Sequence, residues 1–407
     1  MLNFIWAGFF IIAFISAIFQ SFNGNMAVWS YLSETLFSSA HLGFKIALDL
    51  TGILCFWLGL MKIAEQSGLS KLLAKALKPL FHRIMPEIKK DSPAFGAIVM
   101  NIASNILGLD NAATPMGIKA MKMLQEENKE KDKASNAQIL FMVINSSSVT
   151  LIPITILMYR FQAGSSNPTA VFIPILIATS ISTLSGFLAT VWWQKINIFN
   201  RVVMGYIIGG IAFITLSIWS FYNLDQQSRT QVSYIISNII LYGLIISFII
   251  SGLIKKLNVF ELFIEGAKDG FKTAVQIIPY LVAMLVAIGV FRVSGALDYI
   301  VDAIKLLVAK LGGNTDFVYA LPTAIMKPLS GSGARAMMLD TFNAQGVDSF
   351  AGFVSSIVQG STETTFYVLA VYFGAIKIAN TRSALPLALF ADVMGIISAI
   401  LLAYIFY

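Results

Sequence analysis

The chain has 407 residues, of which 57% are hydrophobic and only 12% are charged. Soluble domains average about 25% charged residues, so this composition excludes an ordinary water-soluble protein. The net charge of +7 does not indicate binding to nucleic acid, because the Lys and Arg residues fall in short segments between apolar runs, where they orient a protein in a membrane. Cys55, His41 and His82 are the full complement of cysteine and histidine, which excludes a disulfide framework and predicts neither a metal site nor a cofactor.

Apolar runs near the ~20 residues that cross a bilayer occur from end to end and predict an all-α integral membrane protein. The first run has neither a basic leader nor a small-residue cleavage site, so we interpret it as a retained helix rather than a signal peptide. Amphipathic stretches at about 69–85 and 257–274 predict helices that lie at the membrane surface. The nine predicted spans are 3–20, 45–64, 137–160, 171–193, 203–222, 233–253, 276–293, 350–374 and 385–406.

The charged segments predict which side of the membrane each loop faces. The loop from Ser70 to Asp91 contains more Lys and Arg residues than acids, so we expect it in the cytoplasm. Counting spans from this loop also places the N-terminus in the cytoplasm. The helix 45–64 then crosses from outside to inside, whereas its repeat, 276–293, crosses from inside to outside. The helix 203–222 is the additional span that inverts the second half relative to the first.

Two further stretches, about 93–124 and 316–344, are apolar but are broken in the middle by Gly, Pro and polar residues. Because an unsatisfied backbone group in lipid costs several kcal/mol, such breaks persist only inside protein or around a water-filled cavity. We therefore expect two re-entrant helical hairpins that enter from opposite faces and meet near the midplane. The alternative is that the breaks are tight turns in loops on either side of the membrane.

The two halves of the sequence repeat one another. A Phe-Lys pair that ends at Lys45 recurs ending at Lys272, and a Ser-Gly pair that ends at Gly68 recurs ending at Gly295, at the same separation. A duplicated unit with interrupted hydrophobic segments is typical of a secondary transporter. The parity of the spans predicts that the two repeats are inverted.

Candidate binding residues lie at the two hairpin breaks. In the first hairpin, Asn111 follows Asp110, which can cap a second half-helix. In the second hairpin, Ser332 lies between two glycines just before Arg335. A half-helix start together with a nearby cation favours an anionic group.

Hydroxyl, amide and carboxyl groups interrupt two of the predicted spans. Asn145 and Ser147 lie in one of them, and Ser361, Glu363 and Thr364 lie in the other. A carboxylate at membrane depth is costly and by default marks an ion or proton pathway. Glu363 is therefore the first candidate to bind the substrate or a coupling cation (Na+ or H+), with Asn145 and Thr364 as further ligands of that cation.

A packing role for these polar groups is the alternative. In it, hydroxyls bond between helices and Glu363 pairs with Arg335 or Lys327. The sequence contains no Walker-type Gly-Lys-Ser/Thr, no Ser–His–acid set and no cluster of metal ligands. We therefore predict no catalytic residues and expect that the protein is not an enzyme.

Several long motifs resemble known families. The stretch 105–121, Asn-Ile-Leu-Gly-Leu-Asp-Asn-Ala-Ala-Thr-Pro-Met-Gly-Ile-Lys-Ala-Met, resembles spore maturation protein A. The stretches 278–284, 327–335 and 359–374 resemble spore maturation protein B. The resemblance covers nearly the whole chain, with an A-like half over 1–200 and a B-like half over 201–407, each containing one Gate repeat and one hairpin.

Both proteins belong to the nucleoside-recognition (Gate) group, which includes the membrane part of the ferrous-iron transporter B. The pattern is also similar to concentrative nucleoside transporters, in which two re-entrant hairpins are each followed by a broken helix. The resemblance implies a multi-pass protein of the bacterial cytoplasmic (inner) membrane. Hairpin-containing transporters often assemble as dimers or trimers, which favours a homo-oligomer.

Together these features predict a secondary transporter for a small polar or anionic solute, coupled to an ion or proton and working by alternating access. The solute is expected between the hairpin tips and the broken helices. Two alternatives stay open. One is a non-transporting membrane scaffold, or an envelope or spore maturation factor, that works through partners; the other is a carrier of a lipid-linked envelope precursor.

Overall fold

The protein is almost entirely helical. A computed structural model describes residues 2–89, 91–107, 110–147, 150 and 153–407, without the side chains of residues 2 and 110–112. Helices account for 83% of the residues that the structure describes, and these residues form no β-strand. The α-helices are α1 (Leu2–Phe22), α2 (Val28–Ser67), α3 (Leu69–Ile84), α4 (Ala94–Ile106), α5 (Asp110–Glu127), α6 (Asn136–Ser147), α7 (Ile154–Gln162), α8 (Phe172–Gln194), α9 (Arg201–Tyr222), α10 (Gln226–Ile254), α11 (Val259–Val293), α12 (Ala296–Lys310), α13 (Leu321–Leu329), α14 (Gly331–Gln345), α15 (Phe350–Ser361), α16 (Thr365–Ala375) and α17 (Ala384–Phe406).

Seven helices in the described part are long and apolar enough to cross a membrane: α1, α2, α8 with the short 3-10 turn before it, α9, α10, α11 and α17. The predicted membrane class is therefore confirmed. The other two predicted spans are each divided. The span 137–160 contains α6 and α7, and the span 350–374 contains α15 and α16. Pro153 and a run of hydroxyl residues favour these divisions, because proline cannot donate to a helix and short polar side chains compete for backbone groups.

Two helices are longer than their predicted spans. α2 begins at Val28, well before the predicted start at 45, and α11 runs without interruption from Val259 to Val293. The prediction of a separate surface helix over about 257–274 is therefore wrong. The charged residues of the stretch 257–274 instead lie in the N-terminal part of the long helix α11. Neither a glycine in the left-handed region nor a helix end separates this stretch from the predicted span 276–293.

Glycines in the left-handed region turn the chain after both long helices. Gly68 has φ 79° and directly precedes α3, and Gly295 has φ 72° and directly precedes α12. A side chain disfavours this conformation, whereas glycine adopts it at little cost. In α3, Ala74 and Phe81 are buried while Lys71 is exposed, which confirms the predicted amphipathic helix. The sequence interpretation did not include α12.

The chain forms two compact units that interleave along the sequence. Unit 1 comprises Met1–Gly59, Thr155–Pro168 and Ile264–Gln359, and unit 2 comprises Leu60–Ile154, Thr169–Phe263 and Gly360–Tyr407. In unit 2, α17 packs against α8 and α6, and α3 packs against α4, which pairs with α5. In unit 1, α13 pairs with α14. Both predicted hairpin stretches are thus pairs of packed helices.

Within unit 1, α11 approaches the backbone of α2 at Gly270. A Cβ atom at Gly270 would lie 2.6 Å from the Cα of Cys55 and 2.7 Å from the carbonyl oxygen of Leu54. Only a residue without a side chain fits this contact, because the neighbouring atoms are backbone atoms that cannot rotate away.

Candidate functional site

A network of amide and phenol groups joins the first helix pair to α6 and α16 in unit 2. The Asn105 Nδ2 donates to the Asn145 Oδ1 at 2.8 Å, and the Tyr372 hydroxyl donates to the same oxygen at 2.9 Å. Asn101 donates to the Tyr372 oxygen at 3.1 Å and to the carbonyl of Ala113 at 2.8 Å. Asn101 and Asn145 are buried, so these bonds replace those that water would make.

The network depends on a close approach between α5 and α16. A Cβ atom at Gly117 would lie 2.1 Å from the Tyr372 hydroxyl oxygen. Asn145 itself is 2% exposed, and its Nδ2 donates to the carbonyl of Phe141 at 2.9 Å. The side-chain oxygen of the predicted binding residue Asn145 thus accepts two hydrogen bonds within unit 2, and one N–H of its amide donates to the backbone.

The end of α6 meets the start of α16 through backbone and hydroxyl contacts. The backbone N–H of Glu363 donates to the carbonyl of Ser146 at 2.8 Å. The hydroxyls of Ser146 and Thr365 bond to each other, and the Thr365 hydroxyl donates to the Asp392 Oδ2 at 2.6 Å. The side chain of Glu363 is exposed in this region, whereas Ser361 and Thr364 are buried.

Ser147 and Thr364 have local roles in this arrangement. The Ser147 hydroxyl donates back to the carbonyl of Val143 at 3.0 Å within α6. Thr364 adopts an extended conformation, with φ −86° and ψ 95°, and occupies the position that caps α16. Both are buried, so neither presents its hydroxyl to solvent.

Asp392 is a polar residue of this region that sequence reasoning missed. It lies in the middle of α17 and is 1% exposed. The signal was present in the sequence, because Asp392 is the one charged residue between Ala384 and Phe406. A lone carboxylate in an apolar span is a functional candidate by default, and this residue met that criterion as well as Glu363 did.

The second helix pair carries its own capped break in unit 1. Ser330 is extended, with φ −157°, and its hydroxyl accepts from the backbone N–H of Gly333 at 3.0 Å, which caps α14. The Ser332 hydroxyl lies 3.2 Å from that of Ser330. The Arg335 guanidinium lies 5.6 Å from the centre of the Tyr159 ring, within the range of a cation–π contact.

A buried arginine joins α7 to the loop before α15, also in unit 1. Arg160 is 1% exposed and donates to the Asp348 Oδ1 at 2.8 Å, the carbonyl of Val347 at 3.0 Å and the hydroxyl of Ser356 at 3.2 Å. Burial raises the pKa of the Asp348 carboxyl, but hydrogen bonds from Ser165 and the following serine, together with the charge of Arg160, outweigh it and hold the pKa below its usual value. No local sequence pattern indicates this pair.

The predicted binding residues are distributed over the two units. Asn145, Ser147, Ser361, Glu363 and Thr364 belong to unit 2, and Ser332 and Arg335 belong to unit 1. The side chain of Asn111 and the predicted break residues Gly108 and Leu109 lie outside the described residues. Among the residues that the structure describes, no group of three or more His, Cys, Asp or Glu side chains could hold a metal ion.

An apolar cavity of about 260 Å³ borders the amide network in unit 2. Asn105 contributes to its wall, so the cavity reaches the residue that donates to Asn145. Gly210 of α9 faces it from another side, and a Cβ atom there would meet nothing within 4 Å. The remaining wall consists mainly of aliphatic and phenylalanine side chains, among them Ile102, Ile144 and Phe213.

Comparison with known proteins agrees with these features. A family model described as Gate, nucleoside recognition, matches residues 47–162 and 274–379, which together exceed half of the chain. Spore maturation protein B of Bacillus subtilis (strain 168) is 43% identical over 179 residues, covering 44% of this chain and 94% of that protein. Spore maturation protein A of the same organism is 38% identical over 188 residues, covering 46% of this chain and 93% of that protein.

These matches are consistent with a fusion of the two kinds of protein in one chain. No solved structure matches the chain. The protein is therefore a membrane-embedded member of the Gate nucleoside-recognition family.

Proposed function

We propose that this chain is a secondary transporter that moves a small polar or anionic solute by alternating access, coupled to Na+ or H+. The observation that carries the proposal is the polar junction at which α6 ends and α16 begins, where Ser146 and Glu363 meet and Asp392 of the unbroken helix α17 adds a buried carboxyl. Irregular backbone at membrane depth is tolerated where it lines a cavity or is buried in protein. Discontinuous helices of this kind form the binding sites of many transporters.

The order of helices supports an internal duplication. Helices α2–α8 and α11–α17 follow the same series: a long helix, an amphipathic helix after a left-handed glycine, a helix pair, a divided span and a final long helix. The family model also matches the chain twice. In our proposal the halves 1–200 and 201–407 are inverted repeats, and their helix pairs 93–124 and 316–344 are re-entrant hairpins, as in concentrative nucleoside transporters.

The proposed solute contacts are the predicted ones: Asn111, Asn145, Ser147, Ser332, Arg335, Ser361 and Glu363. Arg335 and the start of α14 supply positive charge for an anionic group, and Glu363 with Asn145 and Thr364 binds the coupling cation. The family description makes nucleosides the first class of solute to test. The protein would act as a non-enzymatic carrier in the bacterial inner membrane, as a homo-oligomer with its N-terminus in the cytoplasm.

The proposal is tested by Glu363→Gln in a thermal-shift screen against nucleosides, amino acids, organic acids and metal ions. We expect one class to raise the melting temperature of the unmodified protein. Glu363→Gln should weaken the binding of that ligand at least about tenfold, because a hydrogen bond to a charged group contributes about 1.5–3 kcal/mol. Arg335→Ala should act in the same direction if the solute is anionic.

Glu87→Gln is the matched control, since Glu87 is exposed in the loop after α3. It should leave both the melting temperature and the ligand response unchanged. If no ligand stabilises the protein, and Glu363→Gln and Arg335→Ala leave the cellular phenotype intact, the role of a scaffold or maturation factor is favoured. The names of the two Bacillus relatives are compatible with that role.

The apolar cavity beside Asn105 favours a second candidate, a carrier of a lipid-linked envelope precursor. A cavity of about 260 Å³ with an apolar wall suits a hydrocarbon chain, while Asn105 at its edge offers a polar group to the head of the same molecule. This candidate keeps the proposed hairpins and the alternating movement. It changes the cargo from a soluble solute to an amphiphile.

Gly210→Leu tests this candidate, because Gly210 lines the cavity, a Cβ atom there meets nothing within 4 Å, and the rest of the new side chain would occupy cavity space. With undecaprenyl phosphate as the probe, we expect at least tenfold weaker stabilisation, since the loss of two buried methylene groups already costs about 1.6 kcal/mol. Gly209→Leu is the control. It has equally open space but does not line the cavity. Equal behaviour of the two variants would exclude the cavity as the site of the chain.

A further inference from the structure

Asp392 lies where a permanent charge is expensive. It is the ninth residue of the 23-residue helix α17, and its side chain is 1% exposed. A charged side chain in the centre of a membrane helix is among the most unfavourable residues for insertion into the bilayer. A buried carboxyl at this depth must therefore be compensated by its partners or neutralised by a proton.

The groups in contact with Asp392 are suited to passing a proton. The Thr365 hydroxyl donates to the Asp392 Oδ2 at 2.6 Å, and the Ser146 hydroxyl bonds to that of Thr365. A hydroxyl donates one hydrogen bond and accepts others, so a row of two can hand a proton from one end to the other. The row ends at Ser146, whose carbonyl accepts from the backbone N–H of Glu363.

The helices around Asp392 carry little charge. α17 packs against α6, α8, α9, α10 and α16. α6 and α8 contain no charged residue, and α16 contributes only Tyr367 and Tyr372 as titratable groups. The charged residues of α9 and α10, Arg201 and Arg229, lie in their first turns. Arg229 donates to the carbonyl of Ile405, which lies at the C-terminal end of α17.

Glu363 is the nearest acidic residue along the chain, two positions before Thr365, and its side chain is exposed. The start of α16 also presents the positive end of a helix dipole to this region, which favours an anion. Opposed influences thus act on Asp392: the helix dipole and the Thr365 hydroxyl stabilise the carboxylate, and burial stabilises the neutral acid. A carboxyl held between two such influences is able to change its protonation state.

We propose that Asp392 is the proton-binding site of this protein, and that Thr365 and Ser146 carry the proton between Asp392 and the junction at Glu363. The inference rests on the proposed transport function, identifies the coupling ion as H+, and makes Asp392, rather than Glu363 with Asn145 and Thr364, the group that holds it. When a proton arrives, the carboxylate becomes a neutral carboxylic acid, and the charge buried in unit 2 changes by one. No bond other than O–H is formed or broken along the row.

Infrared difference spectroscopy of the full chain in nanodiscs tests the proton site without any solute. On acidification we expect the carbonyl stretching bands of protonated carboxylic acids to appear, with a separate band for the buried carboxyl beside those of the exposed acids. This separate band should be missing in Asp392→Asn and displaced in Thr365→Val, which removes the donor to Oδ2. Asp132→Asn, in an exposed loop, should leave the band unchanged. A spectrum of Asp392→Asn identical to that of the unmodified protein would overturn the proposal.

Asp392→Asn should fold, because its amide oxygen can still accept from Thr365. If it does not, the displaced band in Thr365→Val decides the question, and an undisplaced band overturns the proposal. The solute screen is a separate measurement: its failure removes the transport function even if the band is present, whereas a missing band removes only the proton site. For any solute found, Asp392→Asn should keep exchange across vesicles and lose accumulation driven by a pH gradient.

Discussion

Gly270→Ala is expected to destabilise the protein by about 3 kcal/mol, near the upper end of the usual range for overpacked sites. The new Cβ would lie 2.6 Å from the Cα and 2.7 Å from the backbone nitrogen of Cys55, and 2.7 Å from the carbonyl oxygen of Leu54. All three are backbone atoms of α2, so relief requires two helices to move apart. A fall in the melting temperature of the purified protein measures the effect.

Gly52→Ala in α2 is the matched control for this contact. A Cβ atom at Gly52 would meet nothing within 4 Å, and alanine is the better helix former by about 1 kcal/mol. The control should therefore leave the melting temperature unchanged or slightly higher. If Gly270→Ala behaves like Gly52→Ala, the close approach between α2 and α11 is not present in the folded protein.

Asp348→Ala is expected to cost about 3 kcal/mol, because it leaves the guanidinium of Arg160 buried without its carboxylate. The Arg160 side chain is 1% exposed, whereas that of Asp348 is 40% exposed. Water screens part of the pair from the Asp348 side, so we expect the lower end of the range for broken buried pairs. The melting temperature reports the loss.

The double variant Arg160→Met with Asp348→Ala should recover part of this loss, since no buried charge then remains. If the loss of stability in the double variant equals the sum of the losses in the two single variants, the two residues act independently. The same pair predicts a pH dependence. The pKa of Asp348 lies below its ordinary value of 3.8 in the folded state, so its stabilisation is present above about pH 3.8. It is lost as the pH falls from there through the lowered pKa.

Sequence patterns were sufficient for the membrane class, the helix pairs at 93–124 and 316–344, and the polar interruptions near Asn145 and Glu363. All of these depend on local composition, which hydropathy and turn residues report directly. The start of α2 at Val28 was missed because Ser, Glu and His residues between 28 and 44 lower the hydropathy of that stretch. The unbroken course of α11 was missed for a similar reason, because the charged residues in its N-terminal half lower the hydropathy there.

The contacts of the candidate site could not be predicted from the sequence, because they join residues that are far apart in the chain. Asn101 bonds to Tyr372 across 271 positions, and Arg160 bonds to Asp348 across 188. Composition does not reveal such pairs. Asp392 is different, since its position inside an apolar run can be read from the sequence. Only the residues that contact it in the folded protein cannot.

The interleaving of the two units sets an order on biosynthesis. Unit 1 cannot be completed before the ribosome has passed Gln359, and unit 2 requires the chain up to Tyr407. The early helices must therefore wait in the bilayer for partners that are translated last. If the gene were cut between codons 200 and 201, each product would lack segments of both units, and a native fold could form only by complementation between the two fragments.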